Sequence, residues 1–182
     1  MGIDLTNIPT RNDEGAFHVF VESPRGAAVK LKFEPRLGAI ILERPLPVGL
    51  VYPFDWGFVP GTRAADGDPL DALVLLDQST FPGVVIACRA LGVIRLTQKR
   101  KQGKGRQRND RLVAVPVEAP RFEHLRQPSH LSRRQRQELE QFFLSAVFFQ
   151  NKEARLLGWG NAREAEKLVD RFTARRAFPA RP

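Results

Sequence analysis

Apolar and polar positions alternate in three segments of the first 45 residues. Phe17-His18-Val19-Phe20-Val21-Glu22, Val29-Lys30-Leu31-Lys32-Phe33 and Ile40-Ile41-Leu42-Glu43 carry the two-residue period of half-buried strands. Residues 44–70 are rich in Pro and Gly, which predicts loops and short strands. Apolar runs at 73–76, 84–96 and 112–117 predict further strands. Between the last two, residues 97–111 read as a hairpin-like excursion full of Gly, Gln, Lys and Arg. The period then changes. After Pro128 a helix is predicted from Leu131 or Ser132 to about 151, with Leu139, Phe142, Phe143, Ala146, Val147 and Phe149 at helical spacing. Asn161 is placed to cap a second helix, from 162 to about 175, with Ala165, Leu168, Val169 and Phe172 on one face. Strands followed by two helices predict an α+β domain.

Length and composition narrow this reading. At 182 residues, 1–182 is expected to be a single domain with a proper core, and no internal repeat is visible. No apolar run reaches membrane-spanning length, and Met1-Gly2-Ile3-Asp4 lacks the regions of a signal peptide, so a cytoplasmic location and no membrane partner are expected. The single cysteine, Cys88, lies in an apolar run and reads as a buried strand residue; alone, it excludes an intrachain disulfide.

The net charge of +9 is concentrated. Residues 98–111 carry seven basic side chains and one acid, leaving +3 for the rest of the chain. This basic insertion reads either as a solvated loop or as a partner site. Lys99, Arg100, Lys101, Lys104, Arg106 and Arg108, with Gly103, Gly105 and no aromatic, predict a mobile cationic arm. Such an arm would bind polyanions non-specifically, because it offers no stacking platform.

The candidate chemistry lies at Asp66-Gly67-Asp68-Pro69-Leu70-Asp71. Gly67 permits a tight bend and Pro69 forbids a helix, so three carboxylates are held together at the mouth of an apolar strand. They repel one another unless something positive sits among them. Oxygen ligands at this spacing suit a hard cation, Mg²⁺ before Zn²⁺. The competing reading is a solvated acidic turn.

The hexapeptide does not stand alone. Val21-Glu22-Ser23-Pro24, Leu42-Glu43-Arg44-Pro45, Val51-Tyr52-Pro53-Phe54-Asp55-Trp56-Gly57 and Gly158-Trp159-Gly160-Asn161-Ala162 flank it in order. Over roughly residues 5–175 the chain resembles the family I soluble inorganic pyrophosphatases, whose aspartate signature is matched in full at 66–71. The resemblance implies a small closed OB-like β-barrel with two C-terminal helices packed outside. It also implies hydrolysis of inorganic pyrophosphate with Mg²⁺, and a homo-oligomer. By position, Asp66, Asp71 and Glu22 would be metal ligands and Asp68 the general base. Lys30, Arg44, Tyr52 and Arg111 would bind phosphate. Read singly, each has an ordinary role as well: Glu22 a surface carboxylate, Lys30 an exposed lysine, Arg44 a strand-end cap, Tyr52 a packed aromatic.

The departures from the family pattern shape the expected activity. Three of seven expected carboxylates are replaced, by Lys32, Gln98 and Asn109, and a Tyr-Lys pair is replaced by Ala146-Val147. Trp56 stands for a tyrosine, and Asp110 could serve only after a one-residue slip. Slow pyrophosphate hydrolysis is the first expectation. A degenerate protein that binds nucleic acid or a phosphorylated ligand through its basic loop is the alternative. A third is a phosphohydrolase that swaps one metal for Lys32 or an arginine.

Overall fold

Residues 5–100 and 103–173 are described by the structure, a computed structural model. Lys101 and the expected end of the second helix near 175 lie outside the described residues. Five strands close on one another in the order β1 (Phe17–Ser23), β4 (Asp55–Val59), β5 (Leu70–Val74), β8 (Arg111–Pro116), β6 (Val85–Lys99), and β6 returns to β1. The expected barrel is therefore present. Its pairs are antiparallel except β5 with β8, which run parallel. Strands β2 (Val29–Glu34) and β3 (Ala39–Pro45) form a separate antiparallel hairpin. Strand β6 is 15 residues long and also pairs with β7 (Arg106–Arg108) and β9 (Arg155–Asn161).

Alternation decides which side chains fill the barrel. Phe17, Val19, Leu70, Ala72, Val74, Leu112 and Ala114 are fully or almost fully buried, and Ala165, Val169 and Phe172 of α2 (Ala162–Thr173) pack on this half of the core. The other half joins Leu73, Leu91, Ile94 and Val113 to Leu139, Phe142 and Phe143 of α1 (Arg133–Ser145). Each Val, Leu, Ile or Phe among these, fully buried, contributes roughly 1.5–3 kcal/mol before conformational entropy is charged against it. Gly57 permits the closure: opposite Val21, a Cβ there would lie 1.9 Å from the Phe20 carbonyl oxygen, so a larger residue would drive β1 and β4 apart.

Cys88 is buried as expected, and burial holds its thiol well above its ordinary pKa. Asn161 caps α2, its side chain accepting from Glu164 N–H at 2.9 Å. Helix α1 starts at a capping box, Ser132 with Gln135, but ends earlier than its apolar spacing predicts. Ala146 is its C-cap; a 3₁₀ turn, Phe148–Gln150, follows, and Asn151 adopts a left-handed conformation. Phe149, expected on the core face, is instead 79% exposed. Strand β9 is not predicted by alternation, because Gly158 and Gly160 blank its pattern.

Candidate active site

The acidic wall is built from the β4–β5 connection. Thr62, fully buried, donates its hydroxyl to the Val59 carbonyl at 2.7 Å and accepts the Leu70 N–H at 2.9 Å, joining the two ends of the loop. Within it, Ala64 N–H bonds the Asp68 carbonyl, Gly67 N–H bonds the Ala64 carbonyl, and Asp68 N–H reaches the Asp66 carboxylate at 3.3 Å. Gly67 sits at φ 89°, a conformation costly for any side chain. Asp71 belongs to β5 itself, not to the loop. Asp66, Asp68 and Asp71 all line one open cavity of about 450 Å³.

Glu22, Lys30, Arg44, Tyr52 and Arg111 line the same cavity. Every sequence-predicted site residue is therefore on its walls, though several hold unexpected partners. Glu22 is not a surface acid. It is 6% exposed and accepts the Phe33 N–H at 2.7 Å; burial pushes its carboxyl up to about 7. Lys30 pairs with Glu43 at 2.7 Å. Arg44 donates to the Pro45 carbonyl and, at 2.9 Å, to the carbonyl of Ala146, so it holds the C-terminal end of α1. Tyr52 is buried between Trp56 and Phe142, with ring centroids 6.1 and 5.3 Å away, and hydrogen-bonds Ser23. Burial pushes its hydroxyl up to about 12, so it stays protonated.

Arg111 is the central cation. Its guanidinium pairs with Asp71, lies 5.4 Å from the Trp56 ring centroid and is drawn to Asp66 and Asp68. Burial pulls it down to about 10, and it remains charged at neutral pH. Trp56 is 5% exposed and its indole N–H has no acceptor among the described residues. That is the cost of placing a donor-only ring where a hydroxyl could both give and accept.

The substituted positions Lys32, Gln98, Asn109, Ala146 and Val147 also line the cavity. Asp110 does not replace Asn109. Residues 109 and 111 face the cavity, while Asp110 points away, accepting from Leu96 N–H at 3.1 Å and pairing with Arg108 at 2.6 Å. The basic excursion is not a free arm at its base: Thr97, Gln98 and Lys99 pair with Arg108, Gln107 and Arg106 as a β-hairpin. Residues Lys152, Glu43 and Gln150 line the cavity and are missed by sequence reasoning. A lysine in a loop beyond a helix gives no periodic signal.

The donors at Asp66, Asp68 and Asp71 are all hard oxygens on one wall, which fits one hard cation. The charge that balances them here is Arg111. Among the described residues, no three His, Cys, Asp or Glu side chains are gathered into a metal cage. A cation would therefore have to compete with Arg111 for Asp71.

The inorganic pyrophosphatase family profile matches residues 19–177. The chain belongs to that family. An inorganic pyrophosphatase of Nostoc sp. is 35% identical over 168 residues, covering 92% of this chain and 96% of the relative. One from Streptomyces coelicolor is 40% identical over 156 residues, covering 85% and 92%. The crystal structure of inorganic pyrophosphatase from Thermus thermophilus superposes with a TM-score of 0.85 at 31% identity, covering 94% of this chain and 97% of that one.

Proposed function

We propose that this chain hydrolyses inorganic pyrophosphate to phosphate, as one domain spanning 1–182, with Mg²⁺ as the ion. The observation that carries the proposal is the single cavity shared by the Asp66–Asp68–Asp71 wall and by Glu22, Lys30, Arg44 and Tyr52. Asp66, Asp71 and Glu22 are the proposed ligands. When bound, the divalent cation supplies Lewis acidity toward a phosphoryl oxygen and toward the attacking water. Asp68 takes the proton from that water, which places a base on the wall facing the cations. Lys30 and Arg44 neutralise the phosphoryl oxygens, and Tyr52, protonated, donates a hydrogen bond. Arg111, paired with Asp71, would give up that carboxylate where a cation is held and would offer its guanidinium to a phosphoryl oxygen.

Turnover is proposed to be slow. Losing one transition-state donor costs on the order of 10²–10³ in rate, and Ala146 and Val147 offer none. The family membership favours hydrolysis over the polyanion-binding alternative, as does the engagement of hairpin cations Lys99, Arg106 and Arg108 with Glu153 and Asp110. No described helix is long and apolar enough to cross a membrane. A cytoplasmic homo-oligomer completes the proposal. The test is phosphate release from pyrophosphate with Mg²⁺, with Mn²⁺, and with chelator. Release that needs a divalent ion supports the reading, and no release with either ion overturns it.

A further inference from the structure

Lys152 sits in a turn with an uncommon backbone. The residues on either side of it, Asn151 at φ 51° and Glu153 at φ 45°, are both left-handed without being glycine. Asparagine adopts it readily after a helical turn, but for Glu153 it costs roughly 1–2 kcal/mol and persists only where the surroundings impose it. The basic hairpin imposes it. Lys99 N–H bonds the Lys152 carbonyl at 2.7 Å, and Arg106 donates to the Glu153 carbonyl. The Glu153 carboxylate meets Lys99 at 3.6 Å and Arg106 at 3.7 Å. Arg106 is itself anchored to Thr97, at 3.1 Å to the hydroxyl and 3.0 Å to the carbonyl. The hairpin thus grips the backbone at Lys152 and at the residue after it, and the Lys152 side chain lines the cavity.

We infer that Lys152 is a substrate-anchoring residue for a phosphate or diphosphate oxyanion, delivered into the cavity by a turn that the basic hairpin clamps. Its ammonium is half-buried and faces Lys30 and Arg44 on the β2–β3 hairpin and Arg111 on β8; Glu43 is the carboxylate that draws it, and Glu43 already pairs with Lys30. Glu43 and Asp71 match only two of these four cations, so the group keeps an excess of positive charge that an anion would offset. The repulsion shows: desolvation, then Lys30, Arg111 and Arg44, pull the lysine down to about 8. An oxyanion entering between them relieves that repulsion and gains a charge-assisted hydrogen bond. On this account the hairpin is a scaffold. Its cations Lys99 and Arg106 act as positioning groups through Glu153, and touch no substrate themselves.

The inference rests on the proposed function for the identity of the ligand, so binding and turnover are read separately. Imidodiphosphate, a non-hydrolysable diphosphate, is titrated calorimetrically into wild type, Lys152→Met and Lys152→Arg. Thermal melting of each confirms the fold. We expect Lys152→Met to weaken binding about ten- to hundred-fold, the range for a lost charged hydrogen bond, and Lys152→Arg to recover most of it. Glu153→Ala should weaken binding several-fold in wild type and have no effect in the Lys152→Met background, a coupling that general destabilisation would not produce. Binding by Lys152→Met within two-fold of wild type overturns the inference, as does the same Glu153→Ala effect in both backgrounds. If wild type releases phosphate from pyrophosphate while Lys152→Met binds normally, this inference alone falls. If binding depends on Lys152 but no phosphate is released, the hydrolytic reading falls and this one stands. No binding of imidodiphosphate by wild type sinks both.

Discussion

The two walls of the cavity are made in opposite ways. The acidic wall is six consecutive residues, Asp66 to Asp71, shaped by Gly67 and Pro69 and joined at its base by Thr62. The cationic wall takes Lys30 and Lys32 from β2, Arg44 from β3 and Lys152 from the turn before β9, and leans on the end of α1 through Arg44. Arg111 stands between them and pairs with the acidic side. A wall encoded locally keeps its geometry when residues elsewhere change. A wall assembled from distant elements can exchange its charges one at a time, as Lys32, Gln98 and Asn109 illustrate. Under the proposed roles, the base and two of the cation ligands sit on the locally encoded wall, while the charges that depart from the family pattern, at Lys32, Gln98 and Asn109, sit on elements that only the fold brings together.

The largest expected effect comes from the acidic wall. Asp68→Asn should lower phosphate release by about 10²–10⁴-fold, the range for a lost general base, with little change in the melting temperature. Unchanged turnover would move the base elsewhere and remove the contrast between the walls.

Next comes Glu22, the acid buried beneath the cationic hairpin. Its folded pKa is raised from 4.5 to about 7, chiefly by burial. Between those values the folded state holds a proton that the unfolded state has lost, so this group subtracts from stability as pH rises from 4.5 through 7. Glu22→Gln should therefore raise unfolding free energy by up to about 3 kcal/mol at pH 8 and by nothing near pH 4. Urea denaturation at the two pH values reads the difference, and a pH-independent offset would show that the carboxyl is not desolvated.

Arg111→Gln tests the residue between the walls. Removing the guanidinium from beside Asp71 should tighten Mg²⁺ binding by about ten-fold, or ~1.4 kcal/mol, for loss of one like charge near the ion, while raising KM for pyrophosphate. Isothermal titration with Mg²⁺ measures the first, and weaker Mg²⁺ binding would mean that Arg111 supports the cation site instead of competing with it. The smallest effect is expected at the start of α1. Ser132→Ala breaks the capping box and should cost about 1 kcal/mol of stability, leaving kcat intact because α1 meets the site at Arg44, Tyr52 and Trp56, which take no proton in the proposed reaction. A fall in kcat larger than the rise in KM would tie α1 to the chemistry.

What the sequence made legible follows the same division. Strands β1, β2 and β3 declare themselves by alternation, and the acidic turn by its Gly and Pro. The partners of those residues are not local properties. Nothing near Glu22 predicts that Phe33 N–H will bury it, and nothing near Arg44 predicts that it will cap a helix 102 residues away. The end of α1 is hidden from the pattern, because apolar spacing continues through Phe149 while the backbone turns at Ala146. Strand β9 was invisible because it pairs with β6 through main-chain groups at two glycines. Lys152 was overlooked because its placement depends on a clamp some 50 residues earlier in the chain.

The Thr62 hydroxyl has a consequence for motion. By bonding to both Val59 and Leu70 from a site sealed off from solvent, it turns the intervening segment into a closed ring whose ends cannot separate without opening the barrel. The Leu70 amide should then exchange its hydrogen only on global unfolding, while the Gly67 amide, bonded within the loop to the Ala64 carbonyl, should exchange by local opening. If a cation binds there as proposed, Asp66 and Asp68 meet it from a loop whose ends are already tied together, with no folding of the loop to wait for.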